Sequence, residues 1–457
     1  MTKGIFAGNV PIRHLTFVCA VLLIAGCKQK RSALSPSPQR DAESALLNRT
    51  PDPLDIVLLP IDAKTPLDTK IGEAQKKLRS KLNQEAALER LGWLFVQKAR
   101  VAFDAGYYKL AEQCAICLER KSPGSAEGRL LRGHVLQNLH RFKEAEPLAR
   151  ELTQTRGLPA DFGLLGDVLM EQGRIDEAVT VYQRMADLKP DLQAMARAGH
   201  MRWLKGDLEG AIEVMRNAAQ AASPHDPESA AWVNSRLAVL LLQAGDFFGA
   251  EQACESALAY QADYPPALLA QGRILLGQNK AKAAIDPLRR AVAANPLPEY
   301  LWVFGEALRD AGEREEAAQV EGKLRARGAA ADPRTFALFL ATRGEDTETA
   351  VRLANSELET RQDIFTWDAI AWSLAAQHRW SDAAQKIERA LAEGTEDGRL
   401  LLHAGVIAAE TGRETDRERF LTRARAIQQM LLPSERSLLT CYLGKQLAST
   451  TQHVTEK

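Results

Sequence analysis

The sequence predicts an all-α protein in which about ten helix pairs stack into a solenoid, and three observations carry that prediction. Aromatic residues make up only 6% of the 457, and no stretch shows the apolar–polar alternation of a half-buried strand. A turn-forming residue recurs at close to 34 residues from Gly106 to Gly412. Two columns of small residues keep phase with it, one on each side of the turn. A chain of this length exceeds what one hydrophobic core usually organises, whereas a stacked array buries a continuous core at any length.

The first element is an address. Residues 1–14 carry Lys3 and Arg13 and no acid, and Leu15–Ala25 is a short apolar run that ends Leu23-Ile24-Ala25-Gly26-Cys27. Such a run fits a signal-peptide core and is short for a membrane span. The ending resembles the lipobox of bacterial lipoproteins. That resemblance implies removal of residues 1–26 and lipidation of Cys27, which anchors the chain to the membrane through more than one acyl chain, as stable attachment requires. Lipoproteins retained at the inner membrane often carry Asp after the cysteine; Lys28 stands there, which implies an outer-membrane location facing the periplasm. Residues 27–67, polar and proline-rich, read as a flexible tether.

Charge excludes one class of partner. The chain holds 59 basic and 59 acidic residues, and loss of Lys3 and Arg13 with the signal leaves 57 against 59, a net of −2. Phosphate binding needs a clustered basic excess, so no nucleic-acid partner is expected.

Residues 68–90 read as an N-terminal helical cap, with Ile71, Leu78 and Leu82 on one side. The repeat begins at Leu91. Its turn landmarks are Gly106, His140, Gly173, Gly206, Gly245, Asn279, Gly312, Gly344, His378 and Gly412. Gly, Asn and His close a helix in the left-handed conformation at least cost. Seven places before each landmark stands Gly or Ala: Ala99, Gly133, Gly166, Gly199, Ala238, Gly272, Gly305, Ala337, Ala371 and Gly405. Five places after it stand Ala111, Ala145, Ala178, Ala211, Ala250, Ala284, Ala317 and Ala383, with Ala350 one place late. Small residues at these offsets let two backbones approach.

The copy Pro159–Pro190, PADFGLLGDVLMEQGRIDEAVTVYQRMADLKP, resembles the tetratricopeptide repeat. The resemblance covers 91–432 and implies a right-handed α–α superhelix. Pro147 and Pro287 are expected to kink their helices or delay their start. The one 39-residue interval predicts an enlarged loop at 221–227, the polar helix around Arg417 reads as a solvent-facing cap, and 433–457 reads as a C-terminal tail.

By the pattern of that family, places six, ten and thirteen before each landmark face a concave groove that binds a protein or peptide. The partner-binding candidates are Trp93, Arg100, His134, His200, Arg273, Trp302, Glu306, Asp368 and Trp372, with Trp203 at the border. No Lys–Asn pair occupies the places that grip a chaperone C-terminus in one subclass. HExxH, GxSxG, phosphate-loop and dinucleotide motifs are absent, so no enzyme, cofactor or metal is expected. Cys114 and Cys117 lie one turn apart in mid-helix, without the helix N-terminus a redox pair uses or the two further ligands of a zinc site, and read as packing residues. The function expected is a non-catalytic scaffold or adaptor at the bacterial envelope. The alternative is a small-molecule or glycan binder, or a cryptic enzyme, at a pocket beside 221–227 near His225 and Trp232.

Overall fold

The structure, a computed structural model, describes residues 51–80 and 83–455; Cys27 and the signal segment lie outside them. Two N-terminal helices, α1 (Pro53–Val57) and α2 (Pro66–Arg79), precede ten helix pairs. The first five are α3 (Gln84–Ala102) with α4 (Gly106–Lys121), α5 (Ala126–Asn138) with α6 (Phe142–Thr155), α7 (Pro159–Glu171) with α8 (Ile175–Leu188), α9 (Leu192–Leu204) with α10 (Leu208–Gln220), and α11 (Pro227–Gln243) with α12 (Phe247–Tyr260). The next five are α13 (Pro265–Gly277) with α14 (Ala281–Ala294), α15 (Pro298–Asp310) with α16 (Arg314–Ala331), α17 (Pro333–Arg343) with α18 (Thr347–Ser356), α19 (Ile364–Ala376) with α20 (Trp380–Ala390), and α21 (Gly398–Glu410) with α22 (Glu414–Ala426). A last helix, α23 (Pro433–Thr455), follows, and no strand occurs among the described residues.

Local chemistry starts and stops these helices. Proline stands at the N-terminus of α7, α11, α13, α15 and α17, where its missing N–H is no loss. Aspartates cap several others: Asp191 accepts from the Ala194 amide at 3.1 Å and Asp246 from the Gly249 amide at 2.8 Å. Nine of the ten landmarks have φ between 58° and 90°. The first copy differs: Phe103 takes the left-handed place at φ 52°, and Gly106 opens α4 with its amide on Asp104 Oδ1.

The two small columns pack as the spacing requires. All nine alanines after the turn are fully buried. A Cβ on Gly166 would stand 2.3 Å from Cε1 of Tyr182, and one on Gly272 would stand 2.4 Å from the Leu288 side chain.

Several expectations give way. The region read as tether is folded from Pro53 on: Val57 is fully buried beside Ile71 and Phe95, and Gln75 Nε2 donates to the Val57 and Leu59 carbonyls, each at 2.8 Å. Helices α6 and α14 start ahead of Pro147 and Pro287, so neither start is delayed. The 39-residue interval does enlarge its loop, 221–226, to six residues against three between α8 and α9, but most of the extra length goes into α11, which has 17 residues where the other first helices from α5 onward have 11 or 13. The C-terminal segment is no tail, because α23 seats Glu435 and Leu439 in the interior. It therefore covers the last pair, in place of the polar helix α22.

The solenoid closes on itself. In most arrays each repeat meets only its neighbours. Here the turns of the early pairs meet the loops between late ones. The Gln362 amide donates to the Glu171 carbonyl at 3.1 Å, and Lys205 Nζ pairs with Glu393 at 2.6 Å. The Thr395 hydroxyl donates to the Leu204 carbonyl. Gln429 Nε2 donates to the Gln243 carbonyl at 2.8 Å, while Gln243 Oε1 accepts from Trp203 Nε1 at 2.8 Å. Further on, Arg436 reaches the Leu276 carbonyl and Ser434 reaches Glu306. Superhelical turns 128 to 191 residues apart in sequence are thus laced together along a seam.

Candidate functional site

Closure of the seam turns the concave side into an internal channel. Its central lobe, about 390 Å³, is lined by the first helix of every pair from α9 to α21, through Trp203, Arg236, Arg273, Glu299, Arg334, Asp368 and Arg399. A second lobe of about 520 Å³ adjoins it at Trp232 and Arg236, and is walled by Arg100, Asp167, Arg197 and His200. A third of about 170 Å³ shares His200, Arg334 and Phe365.

Helical geometry explains this lining. In each pair the places thirteen, ten and six before the turn lie on one face of the first helix. In the fifth copy those places are Trp232, Ser235 and Val239, and all three line the central lobe. In the fourth they are Gln193, Ala196 and His200, all in the second lobe.

The candidate residues divide into two groups. Arg100, His200, Trp203, Arg273 and Asp368 line the channel. Trp93 and His134 line none of the three lobes: Trp93 is half-buried with its ring 5.3 Å from that of His134. Trp302, Glu306 and Trp372 do not line the channel. Trp302 is 1% exposed, edge-on to Phe339, with the Arg399 guanidinium 4.5 Å over its ring. Glu306 is spent on Arg343 at 3.1 Å and on the Ser434 amide and hydroxyl. Trp372 stacks 4.0 Å from the His403 ring and donates Nε1–H to Thr342. Late in the chain α23 and α21 cover faces that stay open earlier, so the same register falls inside the core.

Charge inside the channel is paired almost throughout. Arg197 grips Asp167 in a fork at 2.6 and 2.7 Å, and Asp167 also accepts from the Tyr182 hydroxyl. Arg273 meets Glu299 at 2.8 Å, Arg334 meets Asp363 at 3.0 Å, and Arg399 meets Glu435 at 2.5 Å. Arg100 lies 3.6 Å from Glu228. Asp368 contacts His403 Nδ1 at 2.8 Å. Burial pushes His200 down to about 3, helped by Arg236, and His134 down to about 4, helped by Arg100. Both imidazoles are therefore neutral at ordinary pH.

Residues beyond the candidate set matter as much. Arg236, Arg334 and Phe365 line the central lobe, and Trp232 lines two lobes. The thirteen-ten-six register marks Trp232, Arg334 and Phe365; Arg236, nine before Gly245, falls outside it. The loop at 221–227 forms no part of the channel, and His225 is exposed. Cys114, Cys117 and Cys254 are buried free thiols. Among the described residues no group of three His, Cys, Asp or Glu is placed to hold a metal, and no helix is long and apolar enough to cross a membrane.

Residues 164–227, 235–297, 269–333 and 369–428 match the tetratricopeptide repeat family. It is 26% identical to an uncharacterised protein of Aquifex aeolicus (strain VF5), covering 34% of this chain and 26% of that protein, and so spans about a quarter of that relative. Among solved structures it is similar to the anaphase-promoting-complex hetero-tetramer Cut9–Hcn1, at TM-score 0.43 and 13% identity over 86% of this chain and 62% of that one. It is also similar to pilF of Pseudomonas aeruginosa, at TM-score 0.38 and 15% identity over 44% of this chain and 90% of that one.

Proposed function

We propose that this tetratricopeptide-repeat chain is a non-catalytic scaffold, anchored to the bacterial envelope by a lipid on Cys27, which holds a segment of a partner protein inside its channel. The observation that carries the reading is the convergence of one register of six consecutive first helices, α11 to α21, on a single interior space that Trp203 of α9 also borders, lined by Trp203, Trp232 and Phe365 and by arginines. Aromatic and arginine side chains in enclosed, desolvated settings supply most of the binding energy at protein interfaces.

Photocrosslinking tests it. A benzoylphenylalanine at Val239, inside the channel, is expected to attach to one discrete partner peptide identified by mass spectrometry, whereas one at exposed Phe248, on the outer helix α12, is not. Crosslinks to the same partner from Phe248 but not from Val239 would exclude the channel. The anchor is tested separately: Cys27→Ala is expected to abolish palmitate labelling and release the protein from membranes. Labelling that persists in that variant would rule Cys27 out.

A further inference from the structure

Every arginine of the channel has an anionic partner except Arg236. Its guanidinium makes no hydrogen bond or ion pair with any described residue. The one acid whose charge acts on it, Glu299, is held by Arg273 at 2.8 Å. Arg236 is half-buried, and the protein crowded around it pushes it below its usual range, with the charge of Glu299 pulling the other way. A half-buried guanidinium with no partner in the fold leaves its donors open toward the channel, where an incoming acceptor can pair with them.

Its surroundings indicate what would pair with it. Trp232, one helical turn earlier on the same face of α11, is 39% exposed and forms with Arg236 the wall common to the two larger lobes. Across the central lobe Trp203 and Phe365 stack with ring centres 5.9 Å apart. The acids Glu299, Asp368 and Asp397 also line that lobe. Arg273, Arg334 and Arg399 line it too but are held by Glu299, Asp363 and Glu435, so the one guanidinium left over suits a single negative charge. Each of the two larger lobes lies within the ~300–1,000 Å³ of ordinary ligand pockets, and their shared wall lets neighbouring side chains of an extended chain, about 3.3 Å apart per residue, fall into both.

We infer that Arg236 and Trp232 form a recognition subsite for a peptide carboxylate flanked by an apolar or aromatic side chain, with the carboxylate on Arg236 and the flanking group on Trp232. This rests on the peptide-binding reading above and names the chemistry of the peptide.

The test uses the full chain and a random array of acetylated, amidated dodecapeptides in which a central Glu is exchanged for Gln, plus matched peptides whose only carboxylate is a free C-terminus. Wild type is expected to prefer Glu peptides by at least about tenfold over their Gln counterparts, and Arg236→Gln to bring the two within about twofold. Trp232→Ala is expected to erase the preference for a flanking aromatic. Preference for the C-terminal set over the Glu set would assign the subsite to chain ends. In the absence of peptide Arg236→Gln should not lower Tm, because no group of the fold is paired with the guanidinium, whereas loss of a structural arginine would lower it. Equal retention of Glu and Gln peptides by wild type, or a lowered Tm with selectivity intact, overturns the subsite and leaves peptide binding standing. Retention of no peptide overturns both.

Discussion

The hydroxyl of Thr395 donates to the backbone carbonyl of Leu204, 191 residues earlier in the chain. This bond joins the turn of the fourth helix pair to the loop before the tenth. It turns an array of neighbours into one enclosed body, and the channel exists because of it and its companions.

The seam makes two kinds of turn glycine. A Cβ on Gly206 would stand 2.7 Å from the Gly394 carbonyl, whereas one on Gly245 would meet nothing within 4 Å, though both have φ near 80°. Gly245→Ala should cost about 1 kcal/mol from the left-handed backbone alone. Gly206→Ala should cost about 1–3 kcal/mol more, because the seam must part. Urea melts of the two variants measure the difference, and equal losses would mean that the seam contributes nothing.

Glu306→Ala should loosen α23. The carboxylate is 2% exposed and holds both Arg343 and Ser434, so its loss strips buried donors of their acceptor. A cost of about 3 kcal/mol is expected. Limited proteolysis should cut 433–455 in the variant before any other region.

Acid should weaken the fold through two histidines. In the folded protein His134 sits near 4 and His200 near 3, both below the ~6.5 of an unfolded chain. The unfolded chain therefore takes up more protons as pH falls below about 6.5. The stability held above that pH is lost progressively down to about 4 for His134 and about 3 for His200. Carboxylates titrate in the same window, so the readout is the difference between wild type and His134→Gln/His200→Gln, whose melting curve should fall less steeply. Arg236→Gln should also raise the His200 value in an NMR titration, since the guanidinium charge helps hold it down.

Thiol labelling should sort the cysteines by burial. Cys441 is exposed, while burial raises the Cys117 thiol to about 11 and the Cys254 thiol to about 12. One thiol per described body should react with maleimide in native buffer, and Cys114, Cys117 and Cys254 only in denaturant. Fast native labelling of Cys117 would contradict the packing at α4.

What could be read in advance followed periodicity. His140, Asn279 and His378 stand where glycine stands elsewhere, and each takes the left-handed conformation that this substitution pattern predicts. The thirteen-ten-six register marked the channel wall as far as Arg399. It misled at Trp302, Glu306 and Trp372, because a register says which way a side chain points and not what a later segment lays over it. The seam had no periodic signal at all: Gln243, Thr395 and Gln429 are isolated polar residues, and their contacts join segments 153 to 191 places apart. In the last helix the apolar side at Leu438, Leu439, Tyr442 and Leu443 was spaced for burial, but without a turn landmark it read as a tail.

The seam also gives the molecule a mechanical character. Held by its two ends and stretched, an open solenoid lengthens like a soft spring from the first increment of force. This one must first unlatch the contacts at Leu204–Thr395 and Gln243–Gln429, so it should stay stiff to a threshold and then extend abruptly, exposing along its whole inner length the surface that the closed form encloses.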